Sequence, residues 1–207
     1  DADNTLICFF ADHGDHLGDH RAWQKESFFE GFCHVPFLLS WPSRLPGGQR
    51  RGELAALTDL YAIATGAAGA MLEREGCDLL GVVQGEADPR EYLCGFYGEP
   101  GTPLFKIMVR YRQWKYIFMA NGGREQLFDL ETDPHELESA LETRPAEAGH
   151  LRQIASRVLD HSAGEAGLDQ GVLRTFEFAA RPHKRIYQFD RSRGVEGFPA
   201  RAEDLLV

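Results

Sequence analysis

From Ala11 to His20 the chain reads Ala-Asp-His-Gly-Asp-His-Leu-Gly-Asp-His, with three aspartates and three histidines in ten residues. Carboxylate oxygens and imidazole nitrogens are competent ligands for a divalent cation. Asp12 and His13 are adjacent, so an extended backbone would point them apart. A tight turn after a strand can aim both at one ion, and Gly14 gives that turn its freedom. Asp12 and His13 are therefore candidate metal ligands. The same run also fits a polar loop with its histidines in solvent, and His16 and His20 keep that plainer reading. Asp15 and Asp19 suit Asx turns that tie the loop to its own amides. Twelve residues after His13 comes Lys25, just ahead of Ser27-x-x-Glu30. That pattern has the form of a capping box and predicts a short helix. A lysine at this place can reach back to an anion beside the metal.

These groups need a scaffold. Thr5-Leu-Ile-Cys-Phe-Phe10 is a continuous apolar run directly before the polar loop. It predicts a strand buried on both faces, in the middle of a parallel sheet. Ligands of open α/β sheets bind beyond the carboxyl ends of such strands, which is where Asp12 falls. A second strand is predicted at Val35-Pro-Phe-Leu-Leu-Ser-Trp41. Two strands do not make a stable buried sheet, so a preceding N-terminal segment of the same protein is expected as a partner. Residues 42–52 read as a Pro- and Gly-rich loop. Residues 54–69 predict a helix whose face carries Leu57, Leu60, Tyr61, Ala64 and Ala68. A short strand is expected within residues 91–97.

Further on, the pattern becomes antiparallel. Strand-like runs at residues 105–112, 114–119 and 126–130 are linked by short turns, one at Asn121-Gly-Gly123. Asp133-Pro134 is a helix-start signal. A second start at Pro145 leads into an amphipathic helix with the stripe Leu151, Ile154, Ala155, Val158 and Leu159. The reading divides the chain into residues 1–103, an α/β part, residues 104–163, a small antiparallel sheet plus helix, and a tail, 164–207. The tail lacks strong periodicity and suits wrapping the domain or a homo-oligomer contact.

Composition narrows the function classes. The chain has 207 residues, a net charge of −10, and is 43% hydrophobic and 26% charged. Those figures exclude collagen, low-complexity disorder and a disulfide scaffold. The acidic balance argues against nucleic acid or an anionic membrane as main partner. It leaves room for a small anionic substrate, because a local cation reverses the local field. No apolar run approaches the roughly 20 residues that span a bilayer. Cys8, Cys33, Cys77 and Cys94 form no CxxC pair, so a thiolate zinc site or redox dithiol is not indicated. Cys8 suits a small core hydrophobe. The compartment is open between cytoplasm and periplasm.

Three blocks together resemble a known family. They are residues 11–20, Trp23-Gln-Lys-Glu-Ser-Phe-Phe-Glu30, and Val35-Pro-Phe-Leu-Leu-Ser-Trp-Pro42. They are similar to the type I sulfatases of the alkaline phosphatase superfamily. Leu57-Thr-Asp-Leu60 resembles the family's helix after the metal loop, and residues 122–134 its small-sheet signature near the C-terminus. The resemblance covers roughly residues 4–160. It implies an α/β fold: part of an alkaline-phosphatase-like parallel or mixed sheet with helices, plus a small C-terminal antiparallel sheet and helix.

The resemblance also implies chemistry. The family hydrolyses sulfate esters, and close relatives hydrolyse phosphate or phosphonate esters. The family's Asp-Asn or Asp-His metal pair matches Asp12 and His13, and its sulfate-contacting lysine matches Lys25. The cofactor implied is one divalent ion, calcium or magnesium, with manganese brought in by the imidazole of His13. The family nucleophile, a formylglycine made from Cys-x-Pro/Ala-Ser-Arg, matches none of the four cysteines, and the paired N-terminal aspartates are absent. Gln24 stands where the family often has Gly. Residues 1–207 are thus expected to be the C-terminal portion of such an enzyme and inactive alone. A phosphonate or phosphate monoester hydrolase of the same superfamily is the alternative among enzymes, and a non-catalytic module that keeps the scaffold is the alternative from another class.

Overall fold

A computed structural model describes residues 1–22, 25, 27–70, 76–162 and 164–180. Strand β1 (Ile7–Phe10) leads to the polar loop, which ends in a one-turn helix, α1 (Glu30–Cys33), and strand β2 (Phe37–Ser40). Next come helices α2 (Asp59–Ala67) and α3 (Leu79–Gln84). Four strands follow: β3 (Tyr92–Tyr97), β4 (Lys106–Tyr111), β5 (Trp114–Met119) and β6 (Arg124–Asp129). Helix α4 (Pro145–Asp160) and a two-residue hairpin, β7 (Leu168–Asp169) and β8 (Val172–Leu173), close the described part. The architecture is α/β, with a small C-terminal antiparallel sheet and helix, as the sequence predicts.

The first strands depart from expectation. β1 pairs antiparallel with β2, from Ile7 opposite Ser40 to Phe10 opposite Phe37. A parallel neighbour needs a crossover that carries the chain back to its starting end, usually a full helix. Among the described residues between these strands the α-helix is the four-residue α1, too short for such a crossover, and the chain reverses. Nor is β1 buried on both faces: Ile7 is 58% and Phe9 63% exposed. Cys8, half-buried, opposes Leu39.

The C-terminal sheet has the order β3-β4-β5-β6, all antiparallel, so it takes in the strand expected within residues 91–97. Alternation along each strand sorts side chains onto two faces. Ile107, Val109, Tyr116, Phe118 and Leu127 pack against Leu151, Ile154, Ala155 and Leu159 of α4. Met108, Ile117 and Phe128 face the other way and pack with Phe28, Phe29 and Cys33. The segment around α1 is therefore the second cover of this sheet. A separate core joins Trp41, Leu45, Ile63, Leu79 and Leu80 beneath α2 and α3.

Two helix starts differ from the pattern. α2 begins at Asp59, not near residue 54. The buried Asp59 carboxylate accepts the Ala56 and Cys77 N–H groups, each at 2.7 Å, and pairs with Arg90. It holds the preceding segment as a turn. Asp133-Pro134 starts no helix. Asp133 Oδ2 accepts the Glu138 N–H at 2.9 Å, and Glu136 takes a left-handed backbone (φ 55°). The helix begins at Pro145, in its first turn, as read.

Chain contacts separate two units, Asp1–Glu177 and Phe178–Val207. Of the second, residues 178–180 are described, so the tail's expected oligomer contact lies outside the described residues. Among the described residues no helix is long and apolar enough to cross a membrane.

Candidate functional site

The end of β1 delivers Asp12 and His13 into a turn clamped against α1. The Gly14 N–H donates to the Phe32 carbonyl at 2.8 Å. A Cβ on Gly14 would sit 2.1 Å from the Gly31 carbonyl oxygen, so only glycine lets the two backbones approach this closely. Asp12 uses Oδ1 to accept the His13 N–H at 2.9 Å and leaves Oδ2 3.5 Å from His13 Nε2. His13 Nδ1–H donates to the Gly14 carbonyl at 2.8 Å, which leaves Nε2 as the acceptor. Lys25 Nζ donates to that Nε2 at 3.2 Å. The structure thus brings together all three residues read from the sequence as ligands and anion contact.

The pair suits a divalent cation in its donor chemistry. Asp12 Oδ2 and the His13 Nε2 lone pair, the latter accepting from Lys25, lie 3.5 Å apart, as close together as ligands of a single ion stand. Two donors do not complete a shell, and no group of three or more His, Cys, Asp or Glu that could hold a metal occurs among the described residues.

The other loop residues take different roles. His16 is 1% exposed, not in solvent, and its Nε2 lies 2.5 Å from Ser27 Oγ. Its Nδ1 is buried with no partner among the described residues. His20 stacks on Phe29 with ring centroids 3.9 Å apart. The side chains of Asp15 and Asp19 are exposed and form no Asx turn among the described residues. Nor does the capping box form. Ser27 Oγ accepts the Phe29 N–H at 3.2 Å, whereas the Glu30 N–H donates to Glu136 Oε2 at 2.6 Å. The Glu30 carboxylate turns instead to Lys115, at 2.6 Å.

The Cys33 thiol, donating to the Ser27 carbonyl, is pushed up to about 11, by burial first, with Lys115 pulling down and Glu30 and Glu136 pushing up. Burial pushes Cys94 up to about 12. At pH 8 such thiols are thiolates about one time in 10³ or less, against about one in four for an ordinary cysteine. Alkylation of Cys33 and Cys94 by iodoacetamide at pH 8 is expected to be at least about 100-fold slower in the native than in the unfolded protein. Peptide mass spectrometry reads this directly, and native rates equal to unfolded ones would contradict the burial. The sign for stability follows. Above about pH 8.5 the unfolded chain loses these protons first, so they make folding less favourable as pH rises.

The sulfatase family profile matches residues 1–70. Choline-sulfatase of Rhizobium meliloti (strain 1021) is 37% identical over 148 residues, 68% of this chain and 28% of that protein. Arylsulfatase K of Xenopus laevis is 27% identical over 172 residues, 76% of this chain and 32% of that one. The chain thus spans about a third of the length of these relatives. Among solved structures, the phosphonate monoester hydrolase of Agrobacterium radiobacter superposes with a TM-score of 0.64 at 24% identity. That match covers 77% of this chain and 36% of the hydrolase, and it is a likeness of fold.

Proposed function

This chain belongs to the sulfatase/alkaline-phosphatase superfamily, and from that premise we propose that it supplies part of the active site of a metal-dependent sulfate-ester hydrolase. One observation carries the reading: at the end of β1, His13 Nε2 stands 3.5 Å from Asp12 Oδ2 and 3.2 Å from Lys25 Nζ. Asp12 and His13 would hold the divalent ion, calcium, magnesium or manganese. When bound, such an ion polarises the ester oxygens and lowers the pKa of an attacking hydroxyl. The chain's own residues do the rest. The Gly14 carbonyl holds the His13 ring so that its Nε2 lone pair faces the site. Gly14, pinned to Phe32, fixes the turn. Lys25 offers an ammonium to the transferred oxyanion and to charge that develops on it.

The 37% identity to a choline-sulfatase favours sulfate over phosphate esters. None of the four cysteines stands in a Cys-x-Pro/Ala-Ser-Arg sequence. On this reading residues 1–207 contribute metal and anion contacts, and alone give no turnover.

The test uses the full natural protein that carries this sequence. Stripped with a chelator, it should lose hydrolysis of an aryl sulfate and regain it with calcium or manganese. Aryl phosphate and phosphonate should turn over more slowly. Asp12→Ala should raise the metal concentration for half-activation at least about tenfold. An unchanged metal requirement in Asp12→Ala would sink the ligand assignment. Faster phosphate than sulfate hydrolysis would replace the substrate class.

A further inference from the structure

Beneath α1 lies a charged cluster in an otherwise apolar layer. Lys115 on β5 shares a face with Ile117, the face that α1 covers, and its side chain is 1% exposed. Its ammonium donates to Glu30 Oε1 at 2.6 Å and to Glu136 Oε1 at 2.8 Å. Glu136 Oε2 accepts the backbone N–H of Glu30 at 2.6 Å. The remaining Glu30 oxygen meets His34 Nδ1 at 2.9 Å. Arg110 on β4 stands opposite Lys115 in the sheet register and is a second cation in the field of Glu30, Glu136 and Asp129. The fully buried charges, Lys115 and Glu136, are paired with each other, as burial requires.

For stability alone an apolar trio would serve as well or better, because the desolvation of buried ions offsets most of their attraction. What ions add is direction: the carboxylates hold one backbone N–H and one ammonium at fixed angles. The object so held is the first residue of α1. On its far side α1 meets the site turn, through the Gly14 N–H on the Phe32 carbonyl and the Gly31 carbonyl pressed against Gly14. The contacts run without a gap from the C-terminal sheet to the residue after His13.

We propose that Lys115, Glu136 and Glu30 are positioning residues, through which the C-terminal sheet sets the place of the Asp12–His13 turn. The consequence for catalysis rests on the sulfate-ester reading above; the mechanical link does not.

Glu136→Gln keeps the shape and removes the charge. In the full natural protein it should speed hydrogen exchange in the peptide carrying Gly14 by about tenfold or more, and leave the peptide carrying Val109 unchanged. On an aryl sulfate, kcat should fall about 10–100-fold, as with other partners that orient metal ligands, with KM within threefold. Should Glu136→Gln fail to fold, Glu30→Gln at its half-buried position carries the same readouts. A folded variant with unchanged Gly14 exchange overturns the proposal. So does equal loss of protection at Gly14 and Val109, which is general destabilisation. If the natural protein has no activity on aryl sulfates, the exchange arm still decides the link, and only the substrate reading fails.

Discussion

In the full natural protein, Lys25→Ala is expected to lower kcat and kcat/KM on an aryl sulfate together, by about 10²–10³. The equal loss is the informative part. Lys25 is exposed and, among the described residues, meets the site through His13 Nε2, at 3.2 Å. On the proposed function, its removal takes away a cation that answers charge developing on the transferred group, an interaction strongest in the transition state. Exposed substitutions shift stability by about 0.5 kcal/mol or less, so thermal unfolding should be unchanged and the kinetic loss reads as chemistry. Lys25→Arg should recover only part of the rate, because a planar, delocalised fork does not place its charge where a compact ammonium does. Steady-state kinetics checks all three. A rise in KM alone would make Lys25 a plain substrate contact, and wild-type kinetics would make it a surface residue.

Gly14→Ala should cost about 10² in kcat/KM without touching a functional group. The added Cβ would lie 2.1 Å from the Gly31 oxygen, 3.1 Å from its carbonyl carbon and 3.2 Å from the Phe32 Cα. All three are backbone atoms, so no side chain can swing aside. Either the turn or α1 must move by about 1 Å, and a misplacement of that size in a catalytic constellation costs about 10²-fold. Overpacking of this kind destabilises by about 1–3 kcal/mol. Gly47→Ala is the control, since nothing lies within 4 Å of its Cβ position. It should match the parent in both melting temperature and turnover. Wild-type kinetics in Gly14→Ala would show that the close approach does not govern the site.

Much of this protein could be read from residues near one another in the chain. Asp12, His13 and Gly14 follow the apolar run of β1, and the turn that gathers them is local. The hairpins of β4, β5 and β6 and the start of α4 at Pro145 rest on turn residues and periodicity, which act over a few residues. Other features depended on partners that no local pattern names. The apolar run of β1 announced a strand, but the direction of its neighbour was decided by how residues 11–36 bring the chain back. His16 looked like a solvent histidine until Ser27, eleven residues on, came within 2.5 Å. Ser27 and Glu30 had the form of a capping box, yet the Glu30 amide was taken by Glu136, 106 residues away. Lys115 would pass for a surface lysine in a strand, until α1 covers that face and supplies Glu30 across 85 residues. Pairing of this kind is settled by desolvation, which exists only once two distant segments exclude water between them. The chain's own order therefore determined which groups the site holds, and the packing of the sheet against α1 decided what holds them in place.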